Sequence, residues 1–353
     1  MTRALLAALC LWPAAAAIAD DQIPRYRLTP GREIAYESKS SFPYGKGEAA
    51  GELRSRQEWT GWVLRTNPDG SSRLFIRLVH RHGQVRNGKA GTEQTLTQIV
   101  YADLFPDGRF LPNPTIQYRG NPSQLFPRLP KDAAEARAGW EATTDDAKVV
   151  AKPVAGGRFS TATTDTMSKI YLITNTATYT FDPARGLIAK ADTASSQGYG
   201  FEGKGTGTIE LKAEKTLPPA DLAKLTADAD RCFAATQAYD DVFKAAEKRA
   251  PDQAKAALAE AFEALKTAAG GVTQPDLKAA LADRIKDHEQ MAKSALADAE
   301  RRAKVVGQPA FAVDATDLDG KPVQLADFKG KVVVLDFWYR GCGWCVRAMP
   351  QMN

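Results

Sequence analysis

The chain opens its folded part with short runs of alternating or β-branched hydrophobic residues. Over Arg73 to His82, Leu74, Ile76 and Leu78 alternate with Phe75, Arg77 and Val79, and Ile170 to Phe181 is rich in Tyr, Thr, Ile and Leu. Such residues suit a pleated, half-buried surface. Turn chemistry separates the runs. Asn67-Pro68-Asp69-Gly70, Pro106-Asp107-Gly108 and Asp182-Pro183-Ala184-Arg185-Gly186 each set a preset φ ahead of a residue that tolerates positive φ. Roughly ten short strands at this spacing predict a β-rich domain over 20–217, built as an antiparallel sandwich, a partial barrel or a strongly curved sheet. Lys131 to Trp140 reads as a short helix or a loop crossing the sheet.

The pattern changes at Pro218. Of the 87 residues from Pro218 to Lys304, 26 are alanine, interleaved with Lys, Glu, Asp and Arg. That composition favours helix. Three helices are predicted over 218–304. The first carries Leu222, Leu225, Ala229, Cys232, Thr236, Tyr239, Phe243 and Ala246 on one seam suited to helix packing. Ala250-Pro251-Asp252 restarts the second and Gly270-Gly271 ends it. Thr273-Gln274-Pro275-Asp276 caps a third, whose Leu277, Leu281, Ile285, His288 and Ala292 share a face. The region reads as a helical connector between two other parts.

A third pattern begins near residue 305. Lys331 to Trp338 is an apolar, β-branched run that predicts a strand buried on both faces, as in a parallel sheet covered by helices. It leads into Cys342-Gly343-Trp344-Cys345. On a strand-to-helix turn, the first sulfur of such a pair sits at a helix N-terminus, where free N–H groups and the dipole favour thiolate. The first cysteine can then attack a disulfide, and the second can resolve the mixed disulfide.

Composition and charge narrow the alternatives. Across 353 residues, 47 Lys+Arg against 42 Asp+Glu give a formal charge of +5, too slight and dispersed to argue for nucleic acid. Four cysteines are too few for a disulfide-stapled scaffold, so their placement carries the information. Arg3, the apolar run Ala4 to Ala17 and the small-residue site Ala17-Ile18-Ala19 predict a secretory signal peptide over 1–19, taking Cys10 with it. An uncleaved signal anchor is the alternative at that end. The chain is therefore expected to be exported, to the periplasm or an equivalent extracytoplasmic space, with no transmembrane segment once the signal is removed.

The residues from Pro309 onward resemble a known family. Pro309-Ala310-Phe311, Asp317 to Val323, Leu325 to Lys331, and Phe337 through Cys345 are similar to the TlpA/ResA-type thioredoxin-like domains of the redoxin group. The resemblance spans about 305–353 and implies an α/β thioredoxin-like domain, of which this chain carries the N-terminal portion. It implies Cys342 as exposed nucleophile and Cys345 as resolving cysteine. Asp336 matches a buried acid that assists proton transfer, Trp338 an aromatic that shields the active-site strand, and Pro350 a helix-kinking proline. The implied activity is thiol–disulfide exchange on protein substrates, with a redox partner protein and no cofactor. Two departures stand out. Trp344 replaces the usual proline before the second cysteine, and Gly341 replaces the frequent tryptophan before the first, which leaves redox poise and direction of electron flow open. In addition, the sequence stops eight residues after Cys345, ahead of the family's cis-proline loop. An incomplete chain is the expectation drawn from this, and a naturally truncated protein lacking oxidoreductase activity is the alternative.

Other residues have simpler readings. His80 and His82 point to one face of a strand and read as polar residues on a solvent-facing strand edge rather than metal ligands. His288 reads as a helix-face residue touching a neighbouring helix, and Cys232 as a buried free thiol. Trp59, Trp62 and Trp140 read as core or rim of the β-domain. Peroxiredoxin chemistry fits less well, because Tyr339-Arg340-Gly341 rather than Thr and Pro precede Cys342. The alternative from another class is an exported binding protein whose β-domain holds a lipid, glycan or protein ligand beside a non-catalytic redox module.

Overall fold

The computed structural model describes residues 23–45, 50–112, 124–143, 147–165, 174–197, 203–339 and 341–349. The predicted signal peptide, Arg340 and Pro350 lie outside them. Twelve strands form one antiparallel sheet. They are β1 (Arg32–Tyr44), β2 (Gly51–Thr66), β3 (Ser72–Arg86), β4 (Lys89–Ala90), β5 (Gln94–Leu104), β6 (Phe110–Pro112), β7 (Trp140–Thr143), β8 (Ala147–Val154), β9 (Arg158–Asp165), β10 (Thr174–Asp182), β11 (Leu187–Gln197) and β12 (Gly203–Thr216). Their order is β6-β5-β3-β2-β1-β12-β11-β10-β9-β8-β7, with β4 hung on β3. The short helix α1 (Ala133–Ala138) sits where the sequence placed a helix or loop.

A flat sheet of this order would hold its two edges roughly 48 Å apart, at about 4.8 Å per strand. Here one segment, 124–131, touches both ends. The indole N–H of Trp140, at the β7 edge, donates to the carbonyl of Arg128 at 3.1 Å, and the N–H of Leu129 donates to Asp107, beyond β5, at 2.9 Å. Tyr26 ties the same place together, its hydroxyl donating to Pro127 at 2.9 Å and its N–H to Pro106 at 2.8 Å. The sheet is thus strongly curled and plugged at one end, a single sheet in keeping with the partial-barrel and curved-sheet expectations rather than with two separate sheets. The plug approaches so closely that a Cβ at Gly108, where φ is +85°, would collide with the carbonyl of Pro127.

Each face has a different partner. The inner face buries Ile34, Tyr36, Trp59, Leu74, Ile76, Leu78, Phe159, Tyr179 and Ile209 around the plug residues Leu125, Phe126 and Leu129. The outer face of β2, β3 and β5 carries Leu64, Phe75 and Tyr101 into a second cluster with the helices. Those helices are α2 (Pro219–Ala246), α3 (Pro251–Gly270) and α4 (Pro275–Val305), close to the three predicted. The seam of α2 is as expected, with Ala229, Cys232 and Tyr239 buried, and Phe233 joins them. Phe233 stacks on Tyr101 with ring centroids 4.3 Å apart and lies 6.4 Å from Phe75. Ion pairs Arg65–Asp230 and Arg77–Asp276 flank the joint at 2.7 and 2.9 Å. Half-exposed pairs of this kind are worth about 0–1 kcal/mol, whereas each buried aromatic contributes about 1.5–3 kcal/mol. The rings hold the helices on the sheet.

Beyond α4 come a hairpin of β13 (Asp314–Thr316) and β14 (Pro322–Gln324), a 3-10 turn over Leu325–Phe328, and α5 (Gly343–Ala348). The hairpin turns on Asp317, whose carbonyl accepts the N–H of Gly320 at 3.1 Å. The predicted buried strand over Lys331 to Trp338 is not observed. Those residues run without strand pairing, and Val332, Val334 and Phe337 are 96%, 83% and 80% exposed. A strand exists only through its neighbours, and among the described residues none lies beside this run. No helix among the described residues is long and apolar enough to cross a membrane.

Candidate functional site

The dithiol is built by a turn and the first turn of a helix. The N–H of Cys342 donates to the carbonyl of Tyr339 at 2.9 Å, closing a turn that delivers Cys342 to the N-cap of α5. Its backbone is extended there (φ −84°, ψ 90°), and its sulfur accepts the N–H of Cys345 at 3.1 Å. An N-cap side chain satisfies one of the donors that every helix leaves free. In this chain the capping atom is a sulfur. Cys342 and Cys345 form a disulfide with Cα atoms 5.3 Å apart, and both residues are half-buried.

The structure brings these two sulfurs together and leaves the other sequence-derived candidates apart from them. Asp336 and Trp338 stand exposed on the extended approach to the turn, Trp338 at 55%. The burial expected for Asp336 is therefore not found in this arrangement. Its cause is the same as for the missing strand: without a covering layer, neither face of 331–338 is removed from water.

Cys232 is a buried free thiol, as expected. Burial in the α2 seam pushes its pKa up to about 12, against the hydrogen bond with Thr236. It is chemically remote from the half-buried pair. His288 stacks on Phe262 with centroids 3.7 Å apart, and its Nδ1 meets the Tyr239 hydroxyl at 2.8 Å, so it joins α4 to α2 and α3. Trp59 and Trp140 are buried in the inner core, and Trp62 stacks on Phe75 at 5.1 Å. His80 and His82 do share a face, with rings 4.9 Å apart. Their strand, β3, is internal rather than an edge, lying between β2 and β5. Among the described residues no third His, Cys, Asp or Glu joins them in a metal-binding group.

The N-cap of α4 is Gln274, whose side chain accepts the N–H of Leu277 at 2.7 Å, and sequence reasoning missed Asp228, which receives the donors just before that helix. Asp228 lies 45 residues from its partner Thr273, beyond any local motif.

Residues 305–353 match the family described as Redoxin. Over 48 residues the chain is 48% identical to the thiol-disulfide oxidoreductase ResA of Bacillus thuringiensis subsp. konkukian, covering 14% of this chain and 28% of that protein. Over 54 residues it is 43% identical to the protein of the same name from Geobacillus thermodenitrificans, covering 15% and 31%. The chain thus spans less than a third of the length of these relatives. Among solved structures, one described as lipid-protein interactions in lipovitellin is similar over 80% of this chain and 39% of that one, at 10% identity and a TM-score of 0.35. A score that low establishes neither a shared fold nor a ligand.

Proposed function

Taking residues 305–353 as a TlpA/ResA-like redoxin segment, we propose that the protein is an extracytoplasmic thiol–disulfide oxidoreductase working through Cys342 and Cys345. The observation that carries this is the disulfide formed by these residues at the head of α5, with a backbone N–H aimed at the Cys342 sulfur.

In the reducing direction, the dithiol form is the reagent. The Cys345 N–H favours negative charge on Cys342 Sγ once the bond is open. That thiolate attacks one sulfur of a substrate disulfide. The substrate S–S bond breaks, the departing sulfur takes a proton, and a mixed disulfide forms through Cys342. Cys345 then loses its proton and attacks Cys342 Sγ, which releases the second substrate thiol and closes the Cys342–Cys345 bond. Two electrons have passed from the protein to the substrate, and a partner dithiol protein returns them. The same steps reversed oxidise a substrate. Apart from the proton transfers, every bond made or broken joins two sulfurs, so the exchange itself calls for no bound cofactor.

Asp336 is proposed as the group that receives the Cys345 proton, and Trp338 as the shield over the dithiol, once 331–338 is covered. Residues 1–19 support export, to the periplasm or an equivalent space, either by cleavage or as a signal anchor. The β-rich part over 20–217 and the helices over 218–304, packed on one another through Tyr101 and Phe233, are proposed to position this module.

The test is disulfide reduction by the full-length chain, using a glutathionylated peptide as substrate. Cys342→Ser should abolish turnover, and Cys345→Ser should accumulate a covalent peptide adduct on Cys342. Equal rates for wild type and Cys342→Ser would overturn the proposal.

A further inference from the structure

The inner face of the curled sheet is apolar only along part of its length. Leu74, Ile76 and Leu78 of β3 lie in the core, and period-2 alternation carries His80, His82 and Gln84 onto the same face. The register extends the face across neighbouring strands. Gln57 pairs with His80, Ser55 with His82 and Leu53 with Gln84, while on the other side Ser40 pairs with Ser55 and Phe42 with Leu53. These residues line a trough of about 570 Å³. That volume lies within the ordinary range of small-ligand sites, roughly 300–1,000 Å³.

The chemistry of the two faces differs sharply. On the outer face of the same strands, Lys39 pairs with Arg56 and Arg56 with Arg81. They are balanced by Glu37 and Glu58, with Arg56–Glu37 at 2.6 Å and Arg81–Glu58 at 2.8 Å. The inner rows carry hydroxyls, amides and imidazoles, and the one Lys or Arg on the trough, Arg54, is paired with Glu52 at 2.7 Å. His80 is held to the Ser55 hydroxyl through Nε2 at 2.8 Å. Its pKa is lowered, first by burial and then by His82, which keeps that ring neutral at physiological pH. Trp59, the next residue after Gln57 on the same face of β2, is buried in the core, and among the described residues its indole N–H has no hydrogen-bond partner.

A surface with this lining disfavours ions, because its one guanidinium is already matched by Glu52 and the remaining groups offer no counter-charge for a desolvated one. It rewards a ligand with many neutral donors and acceptors and with apolar ring faces that can lie on Phe42 and Leu53. Amide and hydroxyl side chains can serve as donor and acceptor together, which matches the hydroxyl groups of a sugar. A protein segment would present its own amides only along one edge, whereas the trough offers polar groups from three strands. We propose that this trough binds a neutral oligosaccharide. The site is independent of the dithiol, so its test does not share a failure with the redox proposal.

The experiment is calorimetric titration of the full-length, disulfide-form protein with three neutral probes, maltotriose, cellotriose and triacetylchitotriose, and one acidic probe, trigalacturonate. At least one neutral probe should bind and the acidic one should not. His82→Ala and Gln84→Ala, both at exposed positions, should each weaken binding roughly 3- to 10-fold, the range for one lost hydrogen bond. Lys39→Ala on the outer face should leave it unchanged. Far-UV circular dichroism confirms that the variants are folded. Failure of all three neutral probes, equal binding of trigalacturonate, or indifference to both inner-face variants would each overturn the proposal.

Discussion

Asp228 on α2 accepts both the backbone N–H of Thr273, at 2.9 Å, and its hydroxyl, at 2.7 Å. The N–H of Gln274 adds a third bond at 2.8 Å. A carboxylate from one helix thereby receives the donors that precede another, and it is only 4% exposed. Burial works to raise its pKa, but the bonds from Thr273 and Gln274, with Arg231 nearby, outweigh burial and leave it below the ordinary aspartate value.

Asp228→Asn should therefore destabilise the helical region by about 1–3 kcal/mol, the cost of weakening charge-assisted bonds to a buried group. The pH dependence has a definite sign. Because the folded pKa is depressed, the contribution is complete above the unfolded value near about 3.9 and is lost as pH falls through the folded value. Urea denaturation of wild type and variant should show a constant gap near neutral pH that closes on acidification. A gap that widens in acid would contradict this account of Asp228.

The joint between sheet and helices can be probed by comparing a ring with an ion pair. Phe233→Ala removes the ring stacked on Tyr101 and should cost about 3–5 kcal/mol. Arg65→Ala removes one partner of the Arg65–Asp230 pair, whose side chains are 39% and 44% exposed, and should cost less than about 1 kcal/mol. Chemical denaturation followed by tryptophan fluorescence measures both. A larger loss for Arg65→Ala would reverse the assignment of what holds the joint.

Two glycines separate backbone strain from close approach. Gly108 and Gly156 both have positive φ, at +85° and +76°, but a Cβ would strike Pro127 at the first and meet nothing within 4 Å at the second. Gly156→Ala should lose only about 1–2 kcal/mol, the cost of left-handed backbone. Gly108→Ala should lose clearly more and loosen the 124–131 plug. Thermal melts that rank the two variants equally would show that the plug can move aside.

Thiol reactivity should separate by burial. With the Cys232 pKa pushed up to about 12, this thiol is protonated at pH values near 8. After mild reduction, iodoacetamide should modify Cys342 and Cys345 in the native protein and reach Cys232 only in denaturant, as peptide mapping would show. Native labelling of Cys232 would mean that the α2 seam opens.

Much of this architecture is visible in the chain itself, for local reasons. The turns at Gly70, Gly108 and Gly186 have the positive φ that their sequences require, because turn conformation depends on a few adjacent residues. The helices begin at Pro219, Pro251 and Pro275 for the same kind of reason. Long-range choices were less legible. Phe75 alternates out of the inner core, and it sits there fully buried because Trp62 stacks on it and the helices, Phe233 of α2 among them, cover that face. In the site, the order Cys-x-x-Cys already implied a sulfur at a helix start, which Cys342 provides. The surroundings of Asp336 and Trp338 depend on neighbouring strands, and an apolar run cannot specify its own cover.

The length of α4 has a mechanical consequence. Its first turn is pinned to the sheet through Asp276 and Arg77, and its 31 residues extend roughly 46 Å before the redox segment begins. A boom of that length sets Val305 at a fixed stand-off from the joint, where a flexible tether would let it swing back. The far end of the helix is thereby held away from the sheet, and deleting whole turns from α4 would bring Val305 towards the joint in steps of about 5.4 Å.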